Sequence, residues 1–129
     1  MKALRILVVE EDTMIGRALV EMLEDLGYVV CALETRAVNA AAAAERCRPD
    51  LMIVDVGLSE ANGVAAVREI IRSGFVPHVF VTGDVLRDLS LGPDAALIQK
   101  PFREPDIVQA IQRALAAQPK RDAAPTTIR

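Results

Sequence analysis

The amino-acid sequence predicts one doubly wound α/β domain in which about five β-α units build a parallel sheet. Short continuous apolar runs, bounded by charged or turn residues, are typical of strands buried on both faces of such a sheet. Stretches with apolar residues at helical spacing separate these runs, and this alternation implies right-handed crossovers with helices on both faces. The 129 residues, 52% of them hydrophobic, suit a single core. We expect a domain over residues 1–118 and a flexible tail over 119–129, where little can be buried.

Five apolar runs are the predicted strands. Each is three to five residues long and is followed by a polar or turn residue. In chain order they cover residues 6–9, 29–33, 51–54, 79–81 and 96–98.

Helical patterns fill the stretches between the predicted strands. The first covers residues 15–26 and stops at Gly27, which predicts an amphipathic helix with a glycine cap. Residues 38–47 contain five consecutive alanines, and Pro49 ends this second helix. Further helices are predicted over residues 64–71, over a brief segment at 85–91 and, after Pro105, over 107–115.

Charge and composition restrict the class of partner. The formal net charge is −3, and the basic residues are scattered among the acids, so a basic face for nucleic acid is not expected. No apolar run reaches the ~18 residues of a membrane span. We therefore expect a cytoplasmic protein without membrane insertion. Cys31 and Cys47 lack the spacing of a zinc site or a disulfide framework, and we expect two buried thiols.

Acidic side chains follow the first and third predicted strands. Glu10 and Glu11, with Asp12 behind them, follow the first strand, and Asp55 follows the third. Ligands of open α/β sheets bind at the carboxyl ends of the strands. If these two strands are neighbours, the carboxylates converge and a cation must offset their repulsion, for which hard oxygen ligands favour Mg²⁺. The competing interpretation is that such acids cap the following helices, and for Asp12 it is at least equally favoured.

Thr82 and Lys100 stand at the ends of the two later predicted strands. A hydroxyl can donate to a phosphoryl oxygen and an ammonium can offset its charge, so together with the acids they form a set suited to phosphoryl transfer. Alone, Thr82 would be read as a turn residue and Lys100 as a solvated charge. Their joint position at strand ends favours the functional interpretation.

In their order, these residues resemble the receiver domains of bacterial two-component response regulators, over Ile6 to about Leu115. The matching segments are Ile-Leu-Val-Val-Glu-Glu-Asp at 6–12, Pro-Asp-Leu-Met-Ile-Val-Asp at 49–55, Asn-Gly at 62–63, Phe-Val-Thr-Gly at 80–83 and Gln-Lys-Pro-Phe at 99–102. The resemblance implies a flavodoxin-like (βα)5 domain with a sheet of order 2-1-3-4-5. It also implies a signalling domain and not an enzyme.

The resemblance assigns roles to the acidic residues. Asp55 would be the phosphoacceptor. Asp55, Glu11 and the carbonyl of Gly57 would ligate Mg²⁺, and Glu10 would bind it through water. The phosphoryl donor would be a sensor histidine kinase or a phosphotransfer protein.

By the same resemblance, Thr82 and Lys100 would sense the phosphoryl group, and the peptide bond between Lys100 and Pro101 would be cis. Their movement would signal to a downstream protein partner. The segment Phe-Val-Thr-Gly at 80–83 is also similar to the Phe-Ala-Thr-Gly motif of stand-alone alphaproteobacterial receivers in stress phosphorelays, with Val81 in place of alanine and no tyrosine after Gly83.

Three residues depart from the wider receiver pattern. Glu11 stands where an aspartate usually ligates the metal. Ser59 replaces a common proline, which predicts a more mobile loop over residues 56–62. Leu97 replaces an aromatic residue that commonly swings inward on activation, so the output surface would switch by a different route.

The residues at these positions also bear on three other functions. A haloacid-dehalogenase-like phosphatase needs an acid two residues after its nucleophile, where this chain has Gly57. Nucleotide binding of the flavodoxin type needs a phosphate-cradling loop after the first strand, where the acids at 10–12 would repel phosphate. A receiver-like interaction module that phosphorylation does not regulate stays open, because Glu11 and Leu97 depart from the pattern.

Overall fold

The computed structural model describes residues 2–58, 62–83 and 95–117. Within these ranges the chain alternates between strands and helices, as the apolar pattern predicts. The strands are β1 (Arg5–Val9), β2 (Val29–Glu34), β3 (Leu51–Asp55), β4 (His78–Thr82) and β5 (Ala96–Gln99). The helices are α1 (Thr13–Asp25), α2 (Ala40–Cys47), preceded by a 3-10 turn at Ala37–Asn39, α3 (Gly63–Ile71) and α4 (Glu104–Ala116).

The five strands form one parallel sheet in the order β2-β1-β3-β4-β5. This confirms the predicted fold class and strand order. The order reverses between β1 and β3, so the carboxyl ends of these two strands flank the crevice in which such sheets bind ligands.

Two apolar layers sandwich the sheet. The layer under α1 and α4 includes Ile6, Val8 and Ile53, and the layer under α2 and α3 includes Leu7, Val9 and Met52. Because successive side chains of β1 and β3 point to opposite faces, both strands are continuously apolar in sequence.

Local signals fix the start of α1, the end of α1 and the start of α3. Asp12 caps α1, since its Oδ1 accepts hydrogen bonds from the N–H groups of Met14 at 2.9 Å and Ile15 at 3.1 Å. The capping interpretation of Asp12 is therefore correct. Gly27, just beyond α1, has φ of 96°, the left-handed conformation that favours glycine. Asn62 caps α3 by accepting from the N–H of Val64 at 2.7 Å.

Three sequence predictions concern residues outside the described ranges. They are the brief helix at 85–91, the effect of Ser59 on its loop, and the tail at 119–129. Among the described residues, no helix has the length and apolar character needed to cross a bilayer.

The prediction of two buried thiols is wrong, because Cys31 and Cys47 are joined by a disulfide with a Cα–Cα distance of 6.0 Å. Cys31 lies in β2 and Cys47 is the last residue of α2. The β1–β2 register pairs Ile6 with Val30 but Leu7 with Ala32, so Cys31 is the extra residue of a β-bulge. Cys31 and Ala32 consequently both pack on the α2 side of the sheet. Spacing along the sequence carries no signal of this bulge.

Candidate functional site

Four of the predicted site residues meet at the carboxyl edge of the sheet. Glu10 directly follows β1, Asp55 ends β3, Thr82 ends β4 and Lys100 directly follows β5. The strand registers place these ends level, since Val9 pairs with Val54 and Asp55 pairs with Val81. The parallel sheet thus gathers residues that are up to 90 positions apart in sequence.

The Lys100 ammonium joins the two buried carboxylates. Its Nζ lies 3.2 Å from Oδ2 of Asp55 and 3.4 Å from Oε1 of Glu10. Glu10 is 2% exposed and Asp55 is 7% exposed, whereas 23% of the Lys100 side chain is exposed. Lys100 therefore enters the pocket from the solvent side and offsets two negative charges that burial would otherwise penalise.

Glu10 is held by the backbone on one side and lacks a hydrogen bond on the other. Its Oε2 accepts from the N–H of Asp12 at 3.1 Å, and its own N–H donates to the carbonyl of Glu34 at 3.0 Å. Among the described residues, Oε1 of Glu10 is the buried side-chain oxygen without a hydrogen-bond partner, although it lies near Lys100. A buried oxygen of this kind is suited to a cation or to a water bound to one.

Burial and neighbouring charges shift the pKa values of Glu10 and Lys100. Burial, together with the neighbouring carboxylate of Asp55, raises the pKa of Glu10 from 4.5 to about 7. For Lys100, burial lowers the pKa, but the charges of Asp55 and Glu10 outweigh it, so the pKa is raised overall. At neutral pH the pocket thus contains a charged lysine, and the pKa of Glu10, about 7, lies close to the ambient pH.

The backbone after β3 binds the carboxylate oxygen of Asp55 that does not contact Lys100. Its Oδ1 accepts a hydrogen bond from the N–H of Gly57 at 2.8 Å, and the N–H of Val56 donates to the carbonyl of Val81 at 2.9 Å. Oδ1 and Oδ2 therefore have different partners, one a backbone amide and the other an ammonium. This fixes the carboxylate orientation before any ligand binds.

Gly63 is a site residue whose role is not apparent from the sequence. A Cβ at this position would overlap the carbonyl oxygen of Asp55 and would lie 2.9 Å from its carbonyl carbon. The first turn of α3 can therefore approach the Asp55 peptide only because residue 63 has no side chain. The Asn-Gly pair at 62–63 was the available signal, but it indicates only the start of a helix.

Thr82 and Lys100 are linked through their backbones. Thr82 is 4% exposed, and its carbonyl accepts from the N–H of Lys100 at 2.8 Å. The peptide bond between Lys100 and Pro101 is cis, as the resemblance implied. The backbone hydrogen bond between Thr82 and Lys100 therefore connects the end of β4 to the residue that follows β5.

Glu11 differs from the other predicted ligands. It is exposed, and the described residues contain no group of three or more His, Cys, Asp or Glu side chains placed to hold a metal ion. Two carboxylates, those of Glu10 and Asp55, meet at Lys100. Their hard oxygens, including Oε1 of Glu10, which lacks a hydrogen bond, fit a hydrated Mg²⁺, which keeps several waters and takes few protein ligands.

Comparisons with known proteins agree with the fold and identify the family. The profile of the response regulator receiver domain matches residues 6–112. The chain therefore belongs to the response regulator receiver domain family, a family of signalling domains.

Individual relatives are response regulators. The chain is 34% identical over 116 residues to the transcriptional regulatory protein PdtaR of Mycobacterium tuberculosis, covering 87% of this chain and 57% of PdtaR. It thus spans little more than half the length of that relative. The receiver domain of Erythrobacter litoralis PhyR superposes with a TM-score of 0.79 at 25% identity, covering 99% of this chain and 98% of that one. The anti-anti-sigma factor PhyR of Bartonella quintana gives a TM-score of 0.74 at 25% identity, covering 89% and 48%.

Proposed function

We propose that the chain is a phosphorelay receiver that accepts a phosphoryl group on Asp55 and signals to a protein partner. The observation that carries the proposal is the position of the Lys100 ammonium, 3.2 Å from the Asp55 carboxylate and 3.4 Å from the Glu10 carboxylate. An ammonium group held against two buried carboxylates at the carboxyl edge of the sheet suits a site that receives negative charge.

Asp55 is the nucleophile in this proposal. A carboxylate oxygen attacks the phosphorus of a phosphohistidine, the P–N bond breaks, and the released imidazole takes up a proton from solvent. Lys100 offsets the charge of the incoming phosphoryl oxygens, and the Thr82 hydroxyl donates a hydrogen bond to one of them. The Gly57 amide keeps the carboxylate oriented during the attack.

Glu10, Glu11, Asp55 and the Gly57 carbonyl are the proposed Mg²⁺ ligands, with Glu10 acting through water. When bound, the ion supplies positive charge for the carboxylates and the transferring phosphoryl group. Because burial raises the pKa of Glu10 to about 7, a bound cation would favour its carboxylate form.

The proposed phosphoryl donor is a sensor histidine kinase or a phosphotransfer protein, and the proposed location is the cytoplasm. The relatives are named as transcriptional and anti-anti-sigma regulators, which favours a downstream protein partner in gene regulation. We propose no direct contact with nucleic acid for this domain, since its net charge is −3.

The proposal is tested by incubating the chain with acetyl phosphate and measuring its intact mass. One added phosphoryl group is expected with Mg²⁺ and none with a chelator. Asp55→Asn should stay unmodified, while Asp50→Asn, which changes an aspartate at the opposite end of β3, should be modified like the parent. Equal yields in the parent and in Asp55→Asn would refute the assignment.

The second candidate, an interaction module that phosphorylation does not regulate, is favoured by the exposure of Glu11. The two candidates differ in Mg²⁺ binding. In the proposed receiver, Glu11→Gln lowers Mg²⁺ affinity without loss of the fold, and Asp12→Asn does not. Unchanged affinity in Glu11→Gln, together with no phosphorylation of the parent, would favour the interaction module.

A further inference from the structure

The disulfide between Cys31 and Cys47 joins the edge strand of the sheet to the end of a helix. Its Cα–Cα distance of 6.0 Å lies within the usual range for disulfides. The bulge in β2 turns Cys31 toward α2, where it is half-buried. Cys47 ends α2 and is 7% exposed. Cys31 is therefore the more exposed residue of the pair.

The fold does not depend on this bond for its core. The layer beneath α2 and α3 contains fully buried apolar side chains of the inner strands, including Leu7, Met52 and Val54. Disulfides that serve as structural staples belong mainly to small domains that cannot bury enough apolar surface. A sandwich with two apolar layers should stay folded when both cysteines are thiols.

The disulfide changes how the end of α2 is attached to the sheet. Without it, this end is fixed by packing, by the Arg5 guanidinium, which donates to the carbonyl of Cys47 at 2.8 Å, and by the N–H of Arg48, which donates to Ala44 at 2.8 Å. With it, α2 is covalently tied to β2, whose Glu34 carbonyl in turn accepts from the N–H of Glu10. The redox state of the pair therefore acts on one helix and one edge strand.

We propose that Cys31 and Cys47 form a redox modification site, a reversible dithiol–disulfide pair whose oxidant is a small-molecule disulfide of the glutathione class. The site gives the domain an input that does not require Asp55 and acts by locking or releasing the end of α2. It is independent of the phosphoryl acceptor, so either assignment can fail without the other.

The protein disulfide forms by thiol–disulfide exchange, in which the S–S bond of the oxidant is the bond that breaks. The Cys31 thiolate attacks one sulfur of the external disulfide, forms a mixed disulfide and expels one external thiolate. The Cys47 thiolate then attacks the Cys31 sulfur and expels the second. One S–S bond forms in the protein, one breaks in the oxidant, and the two protons of the cysteine thiols pass to the two released thiolates. The reverse exchange consumes two external thiols.

The first experiment equilibrates the full chain in mixtures of reduced and oxidised glutathione, alkylates the free thiols and counts them by intact mass. We expect one transition within the glutathione range, from two alkylated cysteines to none, without an accumulated mixed disulfide. A bond that stays closed in fully reduced glutathione would overturn the proposal in favour of a structural staple. Two thiols that stay free in fully oxidised glutathione would overturn it as well.

The second experiment compares amide hydrogen exchange in the oxidised and reduced chain. The disulfide closes a loop between cysteines 16 positions apart. A loop of this length should lower the unfolded population of the oxidised chain by on the order of a hundredfold. The largest local protection from exchange is expected at the end of α2. The double variant Cys31→Ser with Cys47→Ser should exchange like the reduced parent in both buffers. Identical exchange of α2 in the two redox states, or global unfolding on reduction, would refute the switch.

Discussion

At the scale of single residues, Glu10 and Lys100 set the electrostatics of the site. Both could be placed from sequence, because each follows a recognisable apolar strand. Their pairing could not, since it depends on the length of the lysine side chain and on the level registers of β1, β3, β4 and β5. The raised pKa of Glu10 follows from burial and equally needs the folded structure.

The raised pKa of Glu10 predicts a pH-dependent stability in metal-free buffer. Between pH 4.5 and about 7 the folded chain keeps a proton on Glu10 that the unfolded chain has lost. Rising pH therefore lowers the free energy of unfolding across this window, by at most about 3 kcal/mol. The contribution is complete below the unfolded pKa and is lost as the pH rises through the folded one. Glu10→Gln should remove this slope in urea unfolding measured across the window.

Glu11→Gln is the matched control for this prediction, because it removes the neighbouring carboxylate, which is exposed. It should keep the parent slope. If Glu10→Gln kept the parent slope as well, the carboxyl group of Glu10 would not titrate as its burial requires.

At the scale of elements, the approach of α3 to β3 depends on one missing side chain. Gly63→Ala should push the first turn of α3 away from the Asp55 peptide, because its Cβ would meet the carbonyl group. We expect a loss of about 1–3 kcal/mol of stability and slower phosphorylation of Asp55 by acetyl phosphate. Urea unfolding and the initial phosphorylation rate measure the two effects.

Gly74→Ala is the control, since a Cβ at Gly74 has nothing within 4 Å. Its stability should stay within about 0.5 kcal/mol of the parent and its phosphorylation rate should not change. Equal phosphorylation rates in the parent and in Gly63→Ala would contradict the positioning role of this glycine.

The elements also show where sequence reasoning succeeds and where it fails. Strands β1 and β3 were predicted to within one residue at either end, because strands buried on both faces leave unbroken apolar runs. The β2 edge strand was located too, but its bulge and the disulfide were not. An extra residue in one strand is visible only against the register of its neighbour, and Cys31 and Cys47 meet only because that bulge redirects Cys31.

At the scale of the whole molecule, the proposed receiver would pass its signal from the site to the surface through β5. Thr82 pairs with Gln99, and its carbonyl accepts from the N–H of Lys100. In the proposed receiver, a phosphoryl group that draws Thr82 and Lys100 toward Asp55 should therefore move the end of β5 and the start of the segment leading to α4. Leu97 is half-buried beside Phe80 and has no hydroxyl to exchange between inside and outside.

Thr82→Ala should consequently abolish most of the response of β5 to phosphorylation, and Leu97→Ala should retain it. Backbone amide chemical shifts of Ala96 to Lys100, measured with and without beryllofluoride, report this response. A parent response confined to the residues around Asp55, or an equal loss in both variants, would contradict transmission through Thr82.

The most direct test of phosphoryl acceptance is to locate the modified residue. The chain is phosphorylated by acetyl phosphate with Mg²⁺, the acyl phosphate is reduced with borohydride, and the cleaved peptides are sequenced by mass spectrometry. If Asp55 is the acceptor, the reduced residue will be at position 55, and it will be absent when Mg²⁺ is chelated. Reduction at Glu10, Glu11 or Asp12, or an unmodified position 55 in a phosphorylated chain, would contradict the assignment.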